Sequence, residues 1–220
     1  MVAAALAAGL AENARRARDA QDRTALEKLA AQALAAAAKQ PGSVRAQYEA
    51  ALAHSYWAEV LAELRDMAGS SRAAQAGIVA AERAVRSEPN AAEHHRLLGT
   101  LYGQAIPGNV ALGLRYGRKT MDELDRAVSL DTKNAEVYLS RGIGKYYLPA
   151  MFGGGAEKAL EDLRKAAELD PKNHQAQLWL GLALRKANRN REAREALARA
   201  VKLNPQRVWA KQQLEKTPAQ

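Results

Sequence analysis

The feature that most restricts what this chain can become is a recurring stop. Pro41, Pro89, Pro171 and Pro205 each close a segment, and an alanine lies five residues before each: Ala36, Ala84, Ala166 and Ala200. The stretch "AVSLDTKN", Ala127 to Asn134, repeats the ending with Thr132 in the proline slot. The stops at 41, 89, 132, 171 and 205 are spaced 48, 43, 39 and 34 residues apart. Proline cannot continue a helix, because it lacks an N–H and its ring collides with the preceding turn. Periods of this length are the signature of stacked helix pairs, each too small to bury its apolar face alone.

The last unit, "NHQAQLWLGLALRKANRNREAREALARAVKLNP", reads as two amphipathic helices. The first carries Leu180, Gly181 and Leu184; the second carries Ala193, Leu197, Ala200 and Val201, which share one helical face. Asn188 between them tolerates a left-handed turn. Apolar residues make up 48% of the chain but aromatics only 5%, so close packing must rest on alanine.

These residues resemble the tetratricopeptide repeat family over roughly residues 24 to 205. The family's small residue in its first helix matches Gly99, Gly142 and Gly181. The alanine opening the second helix matches Ala159 and Ala193, its later alanine matches Ala84, Ala127, Ala166 and Ala200, and its terminal proline matches Pro89, Pro171 and Pro205. Gly77 and Thr120 stand where alanine is expected. The resemblance implies an all-α, right-handed α-solenoid with a capping helix at its C-terminal end. The organisation expected is one domain over 1–220: N-terminal helices and a half repeat over 1–42, helix pairs over 43–90, 91–134, 135–172 and 173–205, and a cap over 206–216. In that cap Trp209, Ala210 and Leu214 share one side.

The segment "YLPAMFGGG", Tyr147 to Gly155, invites a phosphate-loop reading. No strand precedes it and no Lys-Ser/Thr pair follows, so it is read as a lengthened turn. Met151 and Phe152 are expected to fold back as an apolar plug over the helix ends. The pairs Glu161/Lys165 and Lys158/Asp162 read as an exposed charged face, as do Glu161/Asp162 and Asp122/Glu123. Pro149, Phe152, Gly153, Gly154 and Ala159 also resemble the T-component proteins that accompany periplasmic solute transporters.

The resemblance implies a non-catalytic protein-interaction scaffold that binds a peptide or helix along its first helices. The alternative is a periplasmic transporter-accessory or small-ligand protein with a pocket over the tyrosines. By position, the binding residues are Arg96, Thr100 and Gln104, with Glu93, in one unit. In the next they are Leu139, Ile143, Tyr146 and Tyr147, with Glu136. In the last they are Leu178, Leu182, Arg185 and Lys186, with Gln175. The arginines and lysine would take acidic groups and the apolar residues would take anchors. The Lys/Asn clamp used by chaperone-binding members is not found.

No Cys, Gly-x-Ser-x-Gly or HExxH sequence is present, and His54, His94, His95 and His174 have no i,i+4 spacing. Neither enzyme, metal nor cofactor is expected. Residues 172–220 hold 11 basic and 3 acidic residues, a net +8, and the remainder is nearly neutral at +1. Within that end the cluster "RKANRNREAREALARAVK", Arg185 to Lys202, lacks interleaved aromatics and reads as a solvated cap, not a nucleic-acid surface. No apolar run approaches ~20 residues, so no membrane span is expected. The start "MVAAALAAGLAENARR" has no basic n-region, which leaves both cytoplasm and export open. Alanine-rich faces such as "AQALAAAA" leave homodimerisation open.

Overall fold

The computed structural model describes residues 2–107 and 109–219, and among these it is built of α-helices and one short 3₁₀ turn, without strands. Eleven α-helices follow in order: α1 (Val2–Asp19), α2 (Arg23–Lys39), α3 (Val44–Glu63), α4 (Met67–Ser87), α5 (Ala92–Ala105), α6 (Val110–Leu130), α7 (Ala135–Tyr147), α8 (Ala156–Leu169), α9 (His174–Lys186), α10 (Asn190–Leu203) and α11 (Val208–Glu215). They form two compact units, residues 1–127 and 128–220.

The recurring stop has a direct structural meaning. At the ends of α2, α4, α8 and α10 the N–H of Gln40, Glu88, Asp170 and Asn204 donates to the carbonyl of Ala36, Ala84, Ala166 and Ala200. Ala84, Ala127, Ala166 and Ala200 are buried, so a larger side chain there would push neighbouring helices apart. Each stop then makes the same tight turn. Ser43, Ala91, Asn134, Asn173 and Arg207 donate their N–H to the carbonyls of Gln40, Glu88, Asp131, Asp170 and Asn204. The next helix starts on a side-chain cap where one is available: Ser43 Oγ takes the N–H of Ala46, and Asn173 Oδ1 takes those of Gln175 and Ala176. Within pairs the turns differ. Gln21, Arg65 and Asn188 adopt left-handed φ values of 53°, 66° and 60°, as the sequence suggested for Asn188.

The core of unit 1 is largely alanine, with larger members that include Leu61, Ile78, Leu97, Leu101, Tyr102 and Tyr116. Unit 2 packs on leucine: Leu160, Leu163, Leu178 and Leu197 are fully buried. The glycines matched to the family's small position lie at helix crossings. A Cβ on Gly99, Gly142 or Gly181 would stand 2.9, 2.8 or 2.6 Å from the Cγ of Leu124, Leu163 or Leu197 on the second helix of the pair. Gly77 follows the same logic from the opposite side, against His54 Cβ at 2.8 Å.

Two expectations are corrected here. Asp162 is not surface. It is buried in unit 2, where Arg141 Nε and Nη2 donate to it at 2.8 and 2.7 Å and Lys145 Nζ lies at 2.8 Å. Lys158 and Lys165 instead pair with Glu161 and Glu168, three residues on. Met151 and Phe152 form no plug: they are 82% and 66% exposed. The loop satisfies its own backbone, so it has no need to fold back. Phe152 and Gly154 N–H groups donate to Pro149 O, Gly153 N–H to Ala150 O, and Gly155 N–H to Lys145 O. Gly153 and Gly155 take φ of 86° and 103°, where a Cβ would be strained.

Candidate interaction face

In unit 2 the first helices of successive pairs are joined by aromatic rings. Tyr146 and Tyr147 close α7 and meet edge-on at 5.0 Å between centroids. Both also meet Trp179 of α9 edge-on, at 5.6 and 5.9 Å. Trp179 in turn lies 5.4 Å from Trp209 of α11. Such tilted and edge-to-face pairs place positive ring edges on negative faces and favour a fixed arrangement. Trp179 is buried, Tyr146 and Trp209 are partly covered, and Tyr147 stands 66% exposed. Burial pushes the Tyr146 phenol up, against the opposing charge of Arg185. Lys186 places its ammonium 4.3 Å from the Tyr146 centroid and donates to the Tyr146 carbonyl.

The other residues expected here divide. Ile143 packs, partly covered, against the core. Leu139, Leu178 and Leu182 are buried, so they hold the helices together and offer no surface. Gln175 is buried as well, and Glu136 accepts from Asn173 Nδ2. Arg185 is committed to the cap. It donates to Gln213 O and Oε1 and to Thr217 Oγ1, while Arg194 donates to Thr217 O. The cap's apolar side follows expectation, with Ala210 buried and Trp209 and Leu214 packed on the core; Lys211 and Glu215 are exposed and Gln212 is partly covered. Gln213, buried beside Arg185, was not foreseen.

In unit 1 the first helices are joined by polar bonds instead. Gln104 Nε2 donates to Ser55 O, and Ser55 Oγ donates to Gln104 Oε1, both at 3.1 Å. Thr100 Oγ1 turns back to Arg96 O. Arg96 grips Glu93 with two nitrogens, and Tyr48 of α3 donates to the same carboxylate at 2.6 Å. Burial opposes ionisation of Glu93, yet the Arg96 charge and the bonds from Arg96 and Tyr48 hold its carboxyl below the ordinary value. Gln104 directly, and Arg96 through Glu93 and Tyr48, thus serve α3–α5 packing, while Thr100 bonds within its own helix.

Sequence reasoning left Trp179 out of the face and gave Trp209 only a capping role. A usable signal existed: two of the chain's three tryptophans fall in its last part, Trp179 on the first helix of the last pair and Trp209 on the cap. His95 lies between Glu123 Oε2 at 2.6 Å and Pro89 O at 2.9 Å, and among the described residues no three His, Asp or Glu side chains converge as a metal site would require. No described helix is long and apolar enough to cross a membrane.

No curated protein matches this sequence. The profile of the tetratricopeptide repeat matches residues 154–214. Among solved structures, TTC0263, a thermophilic tetratricopeptide-repeat protein of Thermus thermophilus, is 17% identical with a TM-score of 0.60, covering 88% of this chain and 87% of its own. YrrB, described as a tetratricopeptide-repeat protein with an unusual peptide-binding site, is 18% identical with a TM-score of 0.48, covering 89% and 93%. MamA of Desulfovibrio magneticus RS-1 is 17% identical with a TM-score of 0.47, covering 92% and 97%. The first of these supports the fold. Residues 154–214 therefore carry the tetratricopeptide repeat, and the chain has the fold of tetratricopeptide-repeat proteins, which in general serves as a scaffold for protein–protein interaction.

Proposed function

We propose that the chain is a non-catalytic interaction module and that the face built on α7, α9 and α11 receives a peptide or helix from a partner protein. The observation that carries this reading is Tyr147, a large aromatic left 66% exposed yet fixed by edge contacts to Tyr146 and Trp179. A rigid, exposed aromatic is what a binding anchor needs, because little side-chain entropy remains to be lost on docking. The exposure of Met151 and Phe152 favours an open face over a small-ligand pocket closed by their loop. Arg96, Thr100, Gln104 and Arg185 belong to scaffolding in this reading. Phage-displayed peptides selected on the wild type, with counter-selection on Tyr147→Ala, test it. Sequences retained by the wild type and lost by the variant support the face; a pool that does not distinguish the two refutes it.

A further inference from the structure

We infer that the segment received by this face is acidic as well as apolar, with a carboxylate seated on Lys186 beside a side chain resting on Tyr147. The inference rests on the proposed binding face and names the chemistry of its ligand. Helices α7, α9 and α11 carry five cations (Arg141, Lys145, Arg185, Lys186, Lys211) against two carboxylates, Glu136 and Glu215. Three of the cations are spent internally: Arg141 and Lys145 on Asp162, Arg185 on the end of α11. Helix α9 has no acidic residue, so Lys186 is not neutralised from its own helix. Glu136 is engaged by Asn173 at the far end of α7. Glu215 lies six positions past Trp209, about 120° around the helix from it.

Lys186 is exposed, and among the described residues its ammonium meets the Tyr146 ring and the Tyr146 carbonyl but no carboxylate. An ammonium has three N–H donors. The carbonyl takes one, which leaves donors for a ligand. The ring beneath restricts the side chain, so less freedom is lost when an anion arrives. A neutral apolar peptide would meet Tyr147 but leave this cation unmatched. A basic peptide would meet it with like charge. Acidic groups next to large apolar ones complement both.

The test uses three fluorescein-labelled dodecapeptides that alternate Glu, Gln or Lys with Phe and Leu, plus an oligothymidylate, titrated against the full chain by fluorescence anisotropy. The acidic peptide is expected to bind about fivefold tighter than its Gln counterpart, the scale of an exposed charge pair. Lys186→Gln should abolish that preference, so that the Glu and Gln peptides bind alike, and Lys186→Arg should restore it. Equal binding of the Glu and Gln peptides, or a preference untouched in Lys186→Gln, overturns the inference and leaves the binding face standing. Tighter binding of the oligothymidylate than of the acidic peptide also overturns it, in favour of bases stacked on the aromatics. If no peptide binds the wild type better than Tyr147→Ala, the face itself fails and the inference falls with it.

Discussion

Gly181→Ala sets two opposing effects against each other, and the structure says which wins. Alanine is the better helix former by about 1 kcal/mol, so an unobstructed site would gain stability. The new Cβ would stand 2.6 Å from Leu197 Cγ and 3.0 Å from both Leu197 Cδ2 and the carbonyl oxygen of Ala193. Leu197 Cγ is a branch point inside a filled core, and Ala193 O is backbone, so neither yields cheaply. Overpacking costs about 1–3 kcal/mol; with both contacts rigid the upper part of that range, about 2–3, applies, and after the propensity gain the net loss should be about 1–2 kcal/mol. Gly117→Ala is the control. It also lies in a helix, but nothing comes within 4 Å of its Cβ position, so it should gain about 0.8 kcal/mol. Urea unfolding followed by far-UV circular dichroism measures both, and tryptophan fluorescence includes Trp179 and Trp209 of unit 2 as local reporters. Leu197→Ala alone should cost about 3 kcal/mol. Combined with Gly181→Ala it should cost at least about 1 kcal/mol less than the sum, since the first change makes room for the second. A stabilised Gly181→Ala, or strict additivity in the double variant, would refute the claim that glycine is there to admit the leucine.

Asp162→Ala should destabilise unit 2 by about 3 kcal/mol in the same titration, because it removes the carboxylate shared by Arg141 and Lys145, which are only 19% and 18% exposed. His54 is buried and its imidazole is held below its ordinary value of 6.5 by burial, against the bond to the Ala50 carbonyl. The folded state therefore prefers the neutral ring, and its contribution is present above the unfolded value and lost as pH falls through the lower, folded one. Urea midpoints should accordingly drop between pH 7 and pH 5 more in wild type than in His54→Gln. Gly154→Ala would place a Cβ 2.1 Å from Leu148 O, so limited proteolysis should cut between Tyr147 and Ala156 faster, with helical dichroism retained.

How much the sequence discloses depends on whether the information is local. The proline stops, the alanines before them and the first-helix glycines are each set by contacts inside one helix pair, so the four helix pairs and the cap could be read in advance. Charge could not. Asp162 looks like any carboxylate on a charged helix until α7 brings Arg141 and Lys145 onto it. Arg96 and Arg185 look like ligand-binding cations until Glu93 and the end of α11 claim them. Leu139, Leu178 and Leu182 occupy first-helix positions whose exposure depends on how the neighbouring helices close over them. Phe152 was misplaced because burial is the usual outcome for an apolar side chain, and the backbone bonds that fix its loop leave no trace in hydropathy.

That loop closes at its base through the Gly155 N–H to Lys145 carbonyl bond, and among the described residues the backbone of its tip bonds only within the loop. The α7–α8 register is therefore set below the tip and does not depend on the tip's length or composition. A foreign epitope or reporter peptide spliced between Phe152 and Gly153 would be carried as cargo on an unchanged frame. The same separation lets the chain vary Met151 and Phe152, two exposed apolar residues, without renegotiating the helix pair that carries them.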